Sequence, residues 1–157
     1  MRADVSRFLK RINTAKYKDL EINLAEQLEN LKNDASNAGV TIMYSPESFP
    51  TDNITNIEAA PEWAFIKAWQ EIENVVGDYY AQVSGLSEKR VPFRKAASYL
   101  KQKGIIDGEM AMLLDKIQNT RNLIVHSTDS SITRGEALEW LGISRSVRDR
   151  LAQKLSD

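Results

Sequence analysis

The run Arg121-Asn122-Leu123-Ile124-Val125-His126 holds the only histidine of the chain, with an arginine and an asparagine just before it. Arginine offers a planar fork of donors that fits a phosphate, and histidine exchanges protons near neutral pH. These side chains suit cleavage of RNA by its own 2′-hydroxyl. That chemistry needs a base for the hydroxyl proton and an acid for the leaving oxygen. It also needs a cation against the charge that builds on the phosphate oxygens. Arg121 fits the last role, His126 the proton transfer, and Asn122 the holding of a phosphate or sugar hydroxyl. One histidine does not easily act as base and acid in the same step. A two-fold dimer that sets this helix against its copy would supply two histidines and two arginines in one cleft.

The element that must position these residues is a helix capped by Asp107, with an apolar stripe of Met110, Leu113, Leu114, Ile117 and Ile124. Arg121 lies four residues after Ile117 and seven after Leu114, on that stripe. A charge there is unexpected unless it faces a partner, a cleft or an interface. Glu73, near the edge of its own helix stripe, is a candidate to orient it. Asn122 and His126 are four apart and share a face, whereas Arg121 and His126 stand about 140° apart around an ideal helix. Each residue also has an ordinary reading. His126 suits a helix C-terminus through the dipole, Asn122 a hydrogen bond in the last turn, and Arg121 a structural salt bridge.

The chain reads as mostly helical, with Val40, Ile42, Met43 and Tyr44 as one short strand or an apolar loop. Pro61 starts a long helix with a stripe of Phe65, Trp69, Ile72, Val76, Tyr79, Tyr80 and Val83, ended by Ser84-Gly85. Pro92 starts a shorter one carrying Phe93, Ala96, Ala97 and Leu100, stopped at Lys103-Gly104. Thr133 and Glu136 form a capping box for the last helix, which keeps one phase through Gly142 with a soft point there. Trp63, Trp69 and Trp140 could stack on bases, but their helical spacing reads as core. Upstream, Leu20, Leu24, Leu28, Leu31 and Ala35 mark another helix, closed near Asn37-Ala38-Gly39. Before it, Val5, Phe8, Leu9 and Ile12 alternate with Arg2, Arg7, Lys10 and Arg11 as a short basic amphipathic helix. This segment could meet an anionic membrane surface, though docking on the domain is the favoured reading. Residues 40–60 are rich in turn formers around Pro46 and Pro50. The expected organisation is an extension over 1–38, a linker over 39–60 and a helical bundle over 61–157.

Composition narrows the chemistry further. The absence of cysteine excludes disulfides and thiolate metal sites. A single histidine argues against an imidazole zinc site, a carboxylate site for magnesium stays open though nothing points to one, and no cofactor is expected. A formal net charge of −1 is not that of a basic coat for nucleic acid, so any RNA contact must be local. No stretch has the length and apolarity of a membrane span and no signal peptide is visible, so the cytoplasm is the expected location.

The Arg–polar–three residues–His pattern of Arg121, Asn122 and His126 resembles that of the HEPN superfamily. The likeness extends to residues 64–76, to the Lys103-Gly104-Ile105-Ile106-Asp107 turn and to the segment Ile132–Ala137 after the histidine. It covers about residues 61–156, and it is closest to a bacterial HEPN-like subgroup that occurs alone or beside restriction and defence modules. Residues 7–24 resemble the stretch that follows a membrane helix in some such proteins. The resemblance implies an all-α, HEPN-like four-helix up-and-down bundle with an N-terminal helical extension, acting as a homodimer. It implies a metal-independent endoribonuclease in a toxin or phage-defence setting, with Arg121 and His126 catalytic, Asn122 binding substrate, and an antitoxin or defence protein as a further partner. Some relatives use the fold without catalysis. The alternative expectation is therefore an interaction or regulatory module that binds a nucleotide, RNA or protein.

Overall fold

The structure, a computed structural model, describes residues 24–85, 91–127 and 131–156. Every regular element among these residues is helical. Helix α1 covers residues 24–37, a 3-10 turn Pro46–Ser48 follows, and then come α2 (Thr51–Ala59), α3 (Glu62–Ser84), α4 (Phe93–Gln102), α5 (Gly108–Val125) and α6 (Arg134–Ser156). The expected basic helix near the N-terminus lies outside the described residues.

Local chemistry sets the helix ends. Pro61 precedes α3 with φ −56°, a value its ring fixes, and Gly85 closes α3 in the left-handed region at φ +70°. Asp107 caps α5 by accepting from the Met110 amide at 2.8 Å. The Thr133 amide donates to Glu136 Oε1 at 3.0 Å while the Glu136 amide donates to Thr133 Oγ1 at 3.1 Å, the reciprocal capping box.

Phe65, Ile72, Leu113, Leu114, Ile117, Trp140, Leu141 and Val147 are fully buried in one apolar cluster, with the Phe65 and Trp140 rings stacked 4.7 Å apart. Trp69 and Trp140 are core residues, as their spacing indicates. Val83, expected on the α3 stripe, is instead exposed. It follows the last ring contact of α3, where Tyr80 meets Tyr99. Helix α6 runs unbroken through Gly142, against which Tyr44 and Phe49 lie.

The side-chain pairs fix helix direction, and here the simple up-and-down order is corrected. Phe65 meets Trp140, and six residues on Glu71 meets Arg145 and Arg148, so α3 and α6 run parallel. Trp69 meets Phe93 and Tyr80 meets Tyr99, so α4 runs broadly with α3 as well. Helix α5 returns the other way, its first turn lying by the last turn of α6 through Lys154 and Asp107 at 4.0 Å. Only α4, α5 and α6 alternate. A hydrophobic stripe reads the same from either end, so periodicity shows the buried face of a helix and not its direction.

Of the expected extension, residues 1–23 lie outside the described residues, and the described part packs with the later helices. Leu24, Leu28, Leu31 and Ala35 of α1 join the same apolar cluster as α3, α5 and α6. Asp34 pairs with Lys116 of α5 at 2.6 Å, and Lys32 with Glu139 of α6. The stretch from Val40 onward lies as a strap across α6. The Met43 amide donates to Ser146 Oγ at 3.1 Å, and Phe49 and Ile57 are buried. Prolines and polar residues mark non-helical backbone only up to Pro50 and around the 3-10 turn, since Thr51–Ala59 forms α2, a helix the turn formers concealed, and apolar side chains spaced between them hold the stretch on the core.

Candidate functional site at the end of α5

Helix α5 carries Arg121 and Asn122 near its end at Val125, and His126 is its C-cap. Ile117 and Ile124 are buried, and Arg121 lies half-buried between them on the stripe. Its Nη1 donates to Asn122 Oδ1 at 2.9 Å. Its Nε is shielded from solvent and has no hydrogen-bond partner. Among the described residues no carboxylate pairs with this guanidinium. His126 is the exposed C-cap residue, at φ −88° and ψ −3°, and its amide donates to the Asn122 carbonyl at 3.0 Å. Arg121 and Asn122 are thus brought together directly. Asn122 and His126 share a face one turn apart. No hydrogen bond joins Arg121 to His126, and the angle between them on the helix sends them to different sides.

Glu73, the expected mate of Arg121, is exposed on α3 and makes no such contact. The carboxylate that faces inward is Glu71. It continues the Ala64–Ala68–Val75 flank of α3, which α6 covers, whereas Glu73 turns to the other side. Glu71 accepts from Arg145 Nη2 at 3.0 Å and Nε at 3.2 Å, and from Arg148 Nη1 at 2.8 Å. Arg148 also donates to Asp149 Oδ1 at 2.7 Å, and the Tyr44 hydroxyl donates to Asp149 Oδ2 at 2.6 Å. This network ties the strap to α6 and α6 to α3. The hydrogen bond to Asp149, helped by burial, raises the Tyr44 pKa above its ordinary value. For Arg148, burial favours losing the proton, but the bond to Asp149 and the charges of Asp149 and Glu71 outweigh it and raise the pKa.

The sequence reading missed this network because its two arginines, three residues apart on a surface-like segment, look solvated until α3 is laid beside them. Partly buried Arg145 and Arg148 each have carboxylates within hydrogen-bond distance, whereas Arg121, like half-buried Arg150 beside Gln153, has a neutral amide and an unpartnered Nε. A half-buried cation without an anion is energetically unfavourable, and an anionic ligand would relieve it.

Two grooves flank α5. One, of about 380 Å³, lies between α1 and α5 and is lined by Gln27, Asn30, Asn119, Thr120 and Leu123 among others. The second, of about 310 Å³, lies between α4 and α5. Among the described residues no three acidic or histidine side chains are placed to hold a metal ion, and no helix is long and apolar enough to cross a membrane.

The fold and site define a class no finer than an all-α helical protein with a polar cluster at one helix end. Protein-family models, curated proteins and solved structures yield no match to this chain.

Proposed function

We propose that this protein is a metal-independent endoribonuclease of HEPN type, working as a homodimer in a toxin or phage-defence setting in the cytoplasm. The observation that carries the reading is Arg121, a half-buried guanidinium with no carboxylate partner among the described residues, near the end of the helix that the exposed His126 caps. In this reading the 2′-hydroxyl oxygen of RNA attacks the adjacent phosphorus and the bond to the 5′-oxygen breaks, leaving a 2′,3′-cyclic phosphate. His126 of one protomer takes the hydroxyl proton, and the partner's His126 gives a proton to the leaving oxygen. Arg121 neutralises charge on the phosphate oxygens, and Asn122 holds the phosphate or sugar. An antitoxin or defence protein would restrain the activity by covering the dimer cleft.

The alternative is a non-catalytic interaction or regulatory module in which the same cluster binds a nucleotide, RNA or protein. It is favoured by two observations: each chain brings a single imidazole, and Arg121 is bonded to Asn122 on its own helix.

The deciding experiment is cleavage of a mixed RNA pool in EDTA by wild type, Arg121→Ala and His126→Ala, with product ends and oligomeric state measured together. Cleavage by wild type alone, with cyclic phosphate ends, supports the nuclease. A stable wild-type monomer, or equal cleavage by His126→Ala, overturns it. An inactive dimer favours the binding module.

A further inference from the structure

The groove between α4 and α5 has a chemistry of its own. On its α4 wall Arg94, Ala97 and Lys101 recur at helical spacing, so both cations stand on one flank. Both are exposed, and among the described residues neither forms an ion pair. On the α5 wall stand Met112, Asp115 and Gln118. Met112 is more than half exposed, and the Oε1 of Gln118 is shielded from bulk water with no donor to satisfy it. Half-buried Phe93 closes the end.

Two cations against the one carboxylate of Asp115 leave the groove positive on a chain whose formal net charge is −1. Its Gln118 carbonyl oxygen lacks a donor, and Phe93 and Met112 offer faces for an aromatic ring. The wall also leads to the candidate site. Asp115, Gln118 and Asn122 lie on one face of α5, and an α-helical rise sets Asn122 about 6 Å and His126 about 12 Å beyond Gln118. A single strand can span that interval.

We propose that this groove binds a nucleotide of single-stranded RNA that flanks the bond to be cut. Arg94 and Lys101 take its phosphate, and half-exposed Gln118 turns its unsatisfied Oε1 outward to accept from the exocyclic amino group of its base. A free nucleotide would satisfy the same chemistry, and the choice of a strand rests on the function proposed above. A lipid surface fits less well. The apolar face of α4, Ala96 and Leu100, is buried in the core and so has nothing to insert between acyl chains.

The test is binding of a short labelled RNA to the full chain in EDTA, followed by anisotropy across a salt titration. Because it reads binding, it is separable from any failure of cleavage. The double variant Arg94→Gln/Lys101→Gln is expected to bind about tenfold more weakly, with a salt slope lower by roughly 0.7 per lost cation. Lys32→Gln, on the opposite flank of α5, is expected to leave the slope unchanged. Gln118→Leu is expected to keep the slope but lose preference for cytosine or adenine over uracil. Groove-dependent binding without cleavage would uphold the groove and overturn the nuclease. No RNA binding by wild type, an unchanged slope in the double variant, competition by AMP at concentrations equal to RNA nucleotide, or preference for vesicles of phosphatidylserine and phosphatidylcholine would overturn the groove proposal.

Discussion

Arg121 and Arg145 make opposite predictions for the same substitution, and the contrast tests whether the α5 cluster is a site or a strut. Arg121→Met keeps the apolar stem on the stripe between Ile117 and Ile124. It removes a shielded, unpaired Nε, whose desolvation costs about 1–3 kcal/mol, and it loses the bond to Asn122, worth about 0.5–3 kcal/mol. These nearly cancel, so stability should stay within about 1 kcal/mol of wild type, a shift in Tm of no more than about 4 °C for a chain of this size. Arg145→Met strips three hydrogen bonds from Glu71, whose side chain is only 16% exposed, while Arg145 itself is 12% exposed. Breaking a buried pair costs about 3–5 kcal/mol. Arg148 still serves Glu71 and some solvent reaches the group, so about 2–4 kcal/mol is expected, or a Tm lower by roughly 4–16 °C. Thermal and urea unfolding, with unchanged m-values, measure both. In the RNA assay Arg121→Met should lower the cleavage rate about 10²–10³-fold, as losing one donor to a developing anion does. If Arg121→Met loses as much stability as Arg145→Met, Arg121 is a structural residue and the anion-site argument fails.

Other expectations follow from single features of the fold. Gly77 lies mid-way along α3 with open space where a Cβ would stand, so Gly77→Ala should raise stability by about 1 kcal/mol through helix propensity, seen as a higher urea midpoint. Asp107→Ala removes the cap on the Met110 amide and should cost about 1 kcal/mol, and equal stability of the variant would deny the cap its role. The Tyr44 hydroxyl has a pKa raised on folding, so its contribution to stability is complete below the unfolded value near 10 and is lost as pH rises through the folded one. Absorbance titration of the phenols should show a late phase that Tyr44→Phe abolishes. Its persistence in that variant would assign it elsewhere.

The amino-acid pattern was enough to show the helical class seen among the described residues and many of the helix ends, because caps, prolines and left-handed glycines act within a few residues of where they stand. Pro61, Gly85, Asp107 and the Thr133–Glu136 box each work over one turn. It also placed Arg121 on a buried stripe and Asn122 and His126 on a shared face, since both follow from a fixed helical pitch. Tertiary structure alone decided the rest. Stripes carry no direction, so the parallel course of α3 and α6 had to come from Phe65 against Trp140 and Glu71 against Arg145. Turn formers hid the strap, whose hold on α6 depends on Tyr44 and Asp149, more than a hundred residues apart. The choice of Glu71 over Glu73 as the inward carboxylate turned on which flank of α3 the last helix covers. Long-range packing also determined that Arg121 meets no carboxylate among the described residues, because a partner or its lack is visible only when the neighbouring helices are in place.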